Sequence, residues 1–129
     1  MQLLEQRIAE EGIVLGADIL KVDNFLNHQV DPQLMQAMGE EFARLFADKQ
    51  IDKVLTVETS GIAPAVFTAL ALNVPMVFAK KKKPNTMNGG SYITDVYSFT
   101  KKETNNIVID KRFLSAGERV LLIDDFLAN

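Results

Sequence analysis

Apolar positions follow helical spacing first and strand-like runs later. Leu3, Leu4 and Ile8 recur at helical intervals until Gly12, which predicts a short helix over residues 1–11. Residues 13–23 mix apolar and charged side chains, with room for a short strand. Asp31-Pro32 predicts the next helix start, an aspartate cap followed by a proline whose missing N–H costs nothing there. Leu34, Met35, Met38, Phe42, Leu45 and Phe46 form its apolar face, and it should run to about Asp48. Residues 53–57 read as a short β-strand. Residues 62–72 read as a buried helix, with Ala63, Ala65, Ala69 and Ala71 small enough for close approach to a sheet. Pro64 is tolerated in its first turn. Residues 74–79 read as the next strand. Helix, strand, helix, strand is the order of a parallel α/β sheet.

After residue 79 the rhythm changes. Residues 80–90 contain Pro84, Asn85, Asn88, Gly89 and Gly90 and lack a core pattern, which predicts a mobile loop. Residues 91–100 and 105–110 read as two extended segments joined by a polar turn, a hairpin. Residues 119–123 are almost wholly apolar and run into Asp124-Asp125. That pattern fits a central parallel strand whose tip faces a ligand crevice. A buried parallel strand needs neighbours and covering helices, and only four residues follow the acids. The expectation is the front part of a longer fold whose C-terminal part is missing: one incomplete domain over 1–129. Within it, 1–30 would be a small hood and 31–129 the front of the core, with a flexible loop at about 80–106.

Composition narrows the chemistry. The chain has 129 residues, 47% hydrophobic and 24% charged, which suits one globular domain and argues against disorder. It has no cysteine, so disulfides, thiolate catalysis and cysteine zinc sites are excluded. The lone histidine, His28, reads as a structural residue more than a base. No long uncharged apolar run is present, and Glu5, Arg7, Glu10 and Glu11 near the start do not resemble a signal peptide. A cytoplasmic location is expected, with no membrane partner.

Net charge is −3, whereas nucleic-acid binders are usually basic. The distribution is uneven. Residues 1–31 carry two basic and six acidic groups, net −4; residues 80–102 carry six basic and one acidic, net +5. The basic stretch suits an anionic ligand, or is simply a solvated loop.

Four stretches carry candidate chemistry. Glu58-Thr59-Ser60-Gly61 joins a strand to a helix, where free backbone N–H groups and hydroxyls can hold an oxygen anion. The plainer alternative is a helix capped by Thr59 or Ser60. Asp124 and Asp125 suit hydrogen bonding to sugar hydroxyls, or contact with magnesium through water; the alternative is an acidic turn. Lys80 to Lys83 offer flexible charge for a departing phosphate group, or solubility alone. In residues 20–29, Leu20, Phe25 and Leu26 can frame a planar ring and Asn27 can read its polar edge.

Residues 120–129 resemble the phosphoribosyl-diphosphate signature of the type I phosphoribosyltransferases. Residues 20–31, 58–64, 77–81 and 97–101 resemble the Gram-positive branch of that family that acts on xanthine. The resemblance covers the whole chain. It implies an α/β fold, a central mostly parallel sheet flanked by helices, with a small N-terminal hood and a flexible loop or hairpin. It implies transfer of a 5-phosphoribosyl group from phosphoribosyl diphosphate to xanthine in purine salvage, by a cytoplasmic homodimer, with Mg2+ accompanying the donor. By resemblance, Asp124 and Asp125 contact the ribose hydroxyls, without acting as acid or base. Ala128 and Asn129 begin the 5'-phosphate loop. Glu58, Thr59, Ser60 and Gly61 form the diphosphate loop, which in the family often holds a strained or cis peptide. Lys81 reaches the diphosphate, and Leu20 and Asn27 line the xanthine pocket. The glycine and helix that should follow Asn129 are absent from this chain. The alternatives are an inactive truncated fragment, or a regulator that senses phosphoribosyl diphosphate. The regulator reading lacks support, since such proteins carry a winged-helix domain in front and the chain starts almost directly with the hood-like segment.

Overall fold

A computed structural model describes residues 1–81, 90–98 and 102–126. The first helix, α1 (Gln2–Glu11), ends at Gly12, whose N–H donates to the Ile8 carbonyl at 2.8 Å. A small antiparallel hairpin follows, β1 (Ile13–Leu15) and β2 (Ile19–Lys21), turning at Gly16 with φ +68°. Where one short strand was expected, the chain makes two. Ile13, Val14, Leu15 and Ile19 are exposed on it. Asp23–Asn27 is a wide π-type helical turn that buries Phe25 and Leu26.

Helix α2 (Pro32–Leu45) starts as the Asp31-Pro32 pair implies. The Asp31 carboxylate accepts from the N–H groups of Gln33 at 3.0 Å and Leu34 at 3.2 Å. The same carboxylate accepts from Arg7 at 2.6 Å, and Arg7 also pairs with Glu11 and lies over the Phe25 ring. The Arg7 guanidinium, helped by these backbone donors, holds the Asp31 carboxyl below its ordinary range. One aspartate thus starts α2 and ties α1 to it. The helix stops earlier than Asp48, giving way to a single 3-10 turn at Ala47–Lys49. Leu45, expected on the buried face, is exposed because it lies in the last turn, away from the core.

Strand β3 (Lys53–Val57) alternates half-buried and buried positions, with Val54 and Thr56 on the inner face. Helix α3 (Ile62–Leu72) presents Pro64, Ala65, Thr68 and Ala69 inward. Val66 and Leu70 are exposed on its far side, as is Ala71, so Ala71 does not mediate the approach to the sheet. The helix packs on α2 at Gly39, where an added Cβ would sit 2.5–2.7 Å from the backbone of Phe67 and Thr68.

Strand β4 (Met76–Lys81) begins two residues later than the apolar run. Asn73 closes α3 in a left-handed conformation, and the Val74 N–H still bonds back to the Ala69 carbonyl. At its other end Lys80 and Lys81 belong to the strand, paired with Val108 and Ile107, and not to a loop. The rest of that expected loop, residues 82–89, lies outside the described residues. Strands β5 (Ser91–Ser98) and β6 (Glu103–Asp110) form the expected hairpin, and β7 (Val120–Leu122) follows.

The sheet order is β5-β6-β4-β3-β7. Strands β4, β3 and β7 run parallel; β5 and β6 add an antiparallel wing. Strand β7 pairs with β3, and among the described residues no other strand pairs with it. Leu122 is accordingly 65% exposed.

Two apolar clusters support this frame. Val22, Phe25 and Leu26 pack with Leu34, Met35 and Met38, joining the N-terminal segment to α2. Val54, Ala65, Ala69, Leu121 and Ile123 join the sheet to α3. Phe42 packs against both. No described helix is long and apolar enough to cross a membrane.

Candidate active site

Parallel strands deliver their exits to the same edge of a sheet, and that fact assembles the site. Strands β3 and β4 are in register from Val54↔Met76 to Val57↔Ala79, and β3 and β7 from Lys53↔Val120 to Leu55↔Leu122. Beyond the ladders, Glu58 N–H donates to the Ala79 carbonyl at 3.0 Å and Ile123 N–H to the Leu55 carbonyl at 2.9 Å. The segments that leave these strands, 58–61 and 124–125, therefore emerge side by side with the end of β4.

The turn after β3 is tight. The Glu58–Thr59 peptide bond is cis. The Glu58 carboxylate accepts from the Lys81 backbone N–H at 2.5 Å, which fastens the turn to β4. Gly61 precedes α3, and no side-chain hydrogen bond caps the helix. The alternative in which Thr59 or Ser60 serves as the cap is thereby set aside. Uncapped N–H groups and the positive end of an 11-residue helix suit an anion.

Gly61 is buried against the acids. A Cβ at this position would overlap the Thr56 hydroxyl and lie 3.0 Å from Asp124 Oδ1 and 3.5 Å from Asp124 Cα. The glycine turn and Asp124 thus lie close together. Asp125 N–H donates to Asp124 Oδ1 at 2.9 Å, which turns the first carboxylate back along its own chain. Solvent reaches Asp124, but the protein on its inner side removes enough water to push its carboxyl upward, as does the neighbouring Asp125 carboxyl. The Lys81 charge opposes that shift, which sets the lysine among the groups acting at this edge.

Among the expected residues, Glu58, Thr59, Ser60, Gly61, Lys81, Asp124 and Asp125 therefore share one edge. Leu20 lies on β2, packed against the N-terminal cluster, and Asn27 is exposed at the end of the π-type turn. Ala63, in the first turn of α3, packs on that same cluster, so the segment carrying Leu20 and Asn27 reaches the helix that begins at the site. Ala128, Asn129, Lys82 and Lys83 lie outside the described residues. His28 is exposed. One participant was not anticipated: Thr56, buried beneath Gly61. Its only signal is a hydroxyl in an otherwise apolar inner face of β3.

No group of three or more acidic or histidine side chains able to hold a metal ion occurs among the described residues. The donor set is two adjacent carboxylates, which fits a hard cation carried mainly by ligand oxygens.

Comparison with known proteins agrees with this geometry. The phosphoribosyl transferase domain model matches residues 21–129. The chain is 67% identical over 129 residues to the xanthine phosphoribosyltransferase of Leuconostoc mesenteroides subsp. mesenteroides, spanning 100% of this chain and 68% of that protein. It is 64% identical to that of Latilactobacillus sakei subsp. sakei, spanning 100% of this chain and 66% of that protein. It therefore has about two thirds of the length of these relatives. Among solved structures, adenine phosphoribosyltransferase from Saccharomyces cerevisiae matches with a TM-score of 0.68 and 21% identity, covering 97% of this chain and 73% of that one. At that identity the likeness establishes the fold alone. The sheet, the strand-tip turn and the sequence likeness converge, and the chain belongs to the phosphoribosyltransferase family, in its xanthine phosphoribosyltransferase branch.

Proposed function

We propose that this chain acts in transfer of the 5-phosphoribosyl group from phosphoribosyl diphosphate to N9 of xanthine, yielding xanthosine 5'-monophosphate and diphosphate. The observation that supports the reading best is the closeness of Gly61 to Asp124, where an added Cβ would lie 3.0 Å from the carboxylate, so that the turn before α3 and this acid are neighbours. The ribose C1–O bond breaks, leaving positive charge on the sugar and negative charge on the diphosphate, and the C1–N9 bond forms. Thr59, Ser60 and the backbone before α3 hold the diphosphate oxygens, and Lys81 adds a cation to them. Asp124 and Asp125 grip the ribose hydroxyls and favour the cationic sugar. Neither serves as acid or base. Ala128 and Asn129 begin the 5'-phosphate loop, and Leu20 and Asn27 line the base pocket within a hood formed by residues 1–30. Magnesium would ride on the diphosphate, reached through water by Asp124 and Asp125, and would offset the leaving group's charge. Positioning and exclusion of water supply most of the rate. A cytoplasmic homodimer is part of the same reading.

The test is incubation of the chain with phosphoribosyl diphosphate, magnesium and either xanthine, guanine or hypoxanthine, with nucleotides separated by chromatography. Xanthosine monophosphate should form, fastest of the three products. No nucleotide, or preference for another base, rejects the reading.

A further inference from the structure

Thr56 Oγ1 is the one buried side-chain polar atom without a hydrogen-bond partner among the described residues. Its residue is 0% exposed. Buried hydroxyls are normally paired, because water no longer compensates them. Thr68, the other buried polar side chain described, donates to the Pro64 carbonyl at 2.7 Å. Thr56 shares the inner face of β3 with Val54, where a valine of nearly the same shape would continue the core. The hydroxyl therefore needs a reason beyond packing.

Its surroundings supply one. Thr56 Oγ1 and Asp124 Oδ1 both lie within 3.0 Å of one point, the point where any residue but glycine at 61 would carry its Cβ. Because residue 61 has no side chain, the buried hydroxyl and the carboxylate at the strand tip can both sit close to it. Oδ1 now accepts from the Asp125 N–H, and the hydroxyl is unused.

We propose that Thr56 is a positioning residue: its hydroxyl donates to the Asp124 carboxylate when the sugar phosphate is bound, fixing the carboxylate beneath the ribose in an arrangement that glycine at 61 permits. The inference rests on the function proposed above. Hydrogen bonds to a charged acceptor are stronger than neutral ones, so a donor in this position holds the carboxylate firmly. It acts on the sugar only through Asp124.

The experiment is calorimetric titration of phosphoribosyl diphosphate with magnesium into the wild-type chain and into Thr56→Val, Thr56→Ala and Thr56→Ser, with thermal unfolding of each. Thr56→Val keeps the shape and removes the donor; it should bind the donor substrate about tenfold more weakly while unfolding no earlier than wild type. Thr56→Ala should weaken binding in the same way, so the result does not depend on one variant folding. Thr56→Ser should restore binding to near the wild-type level, and xanthine KM should be unchanged throughout. Wild-type affinity in Thr56→Val or Thr56→Ala overturns the inference and leaves the proposed function standing. Failure of the wild-type chain to bind phosphoribosyl diphosphate overturns both.

Discussion

At the scale of single residues, Gly61 couples two parts of the site that are 63 positions apart in the sequence. Its closeness to Asp124 leaves no room for a side chain between the turn and that acid. A methyl group there meets the buried Thr56 hydroxyl and the Asp124 carboxylate together. Gly61→Ala should displace Asp124 and weaken binding of phosphoribosyl diphosphate by about tenfold or more, since small misplacements at a reacting centre are costly. It should also lower stability by about 1–3 kcal/mol through overpacking. Binding calorimetry and urea unfolding check the two parts; an affinity equal to wild type removes Gly61 from this role. Sequence reasoning finds Gly61 because a glycine between a strand and a helix is a local signal. It cannot find Thr56, whose importance depends on what β7 brings across to it.

At the scale of elements, local chemistry was easiest to read. The α2 start at Asp31-Pro32 follows from a cap and a proline, both written within a few residues. Strand β4 starts at Met76 and not at Val74, because Val74, apolar like a strand residue, still bonds into the end of α3. Lys80 and Lys81 look like loop residues until β6 pairs with them from far along the chain. The crossing of α2 and α3 was equally hidden, since nothing beside Gly39 announces what lies over it. An exposed Gly→Ala change inside a helix ordinarily stabilises by about 1 kcal/mol. Gly39→Ala should do the reverse, lowering stability by about 1–3 kcal/mol, because the Cβ would run into the Phe67 and Thr68 backbone. Urea denaturation measures the sign. A more stable variant contradicts the close crossing.

For the whole molecule, the helix–strand rhythm led to the parallel core, and the apolar run into Asp124-Asp125 led to the strand tip. The antiparallel wing and the pairing of β7 with β3 depend on partners that no local window contains. The two apolar clusters likewise draw on residues spread over the chain. One side chain, Phe42, leans on both. It is the rivet through which loosening of the N-terminal segment is felt by the sheet. Cooperative melting needs such joints; without them, regions open with separate free energies. Phe42→Ala should split a single calorimetric peak into two, the earlier one belonging to the segment that carries Leu20 and Asn27. Retention of one sharp peak would show that the halves communicate by another route. If the peak divides, the segment proposed to bind the base can open and close while the strand tips proposed to hold the sugar stay folded.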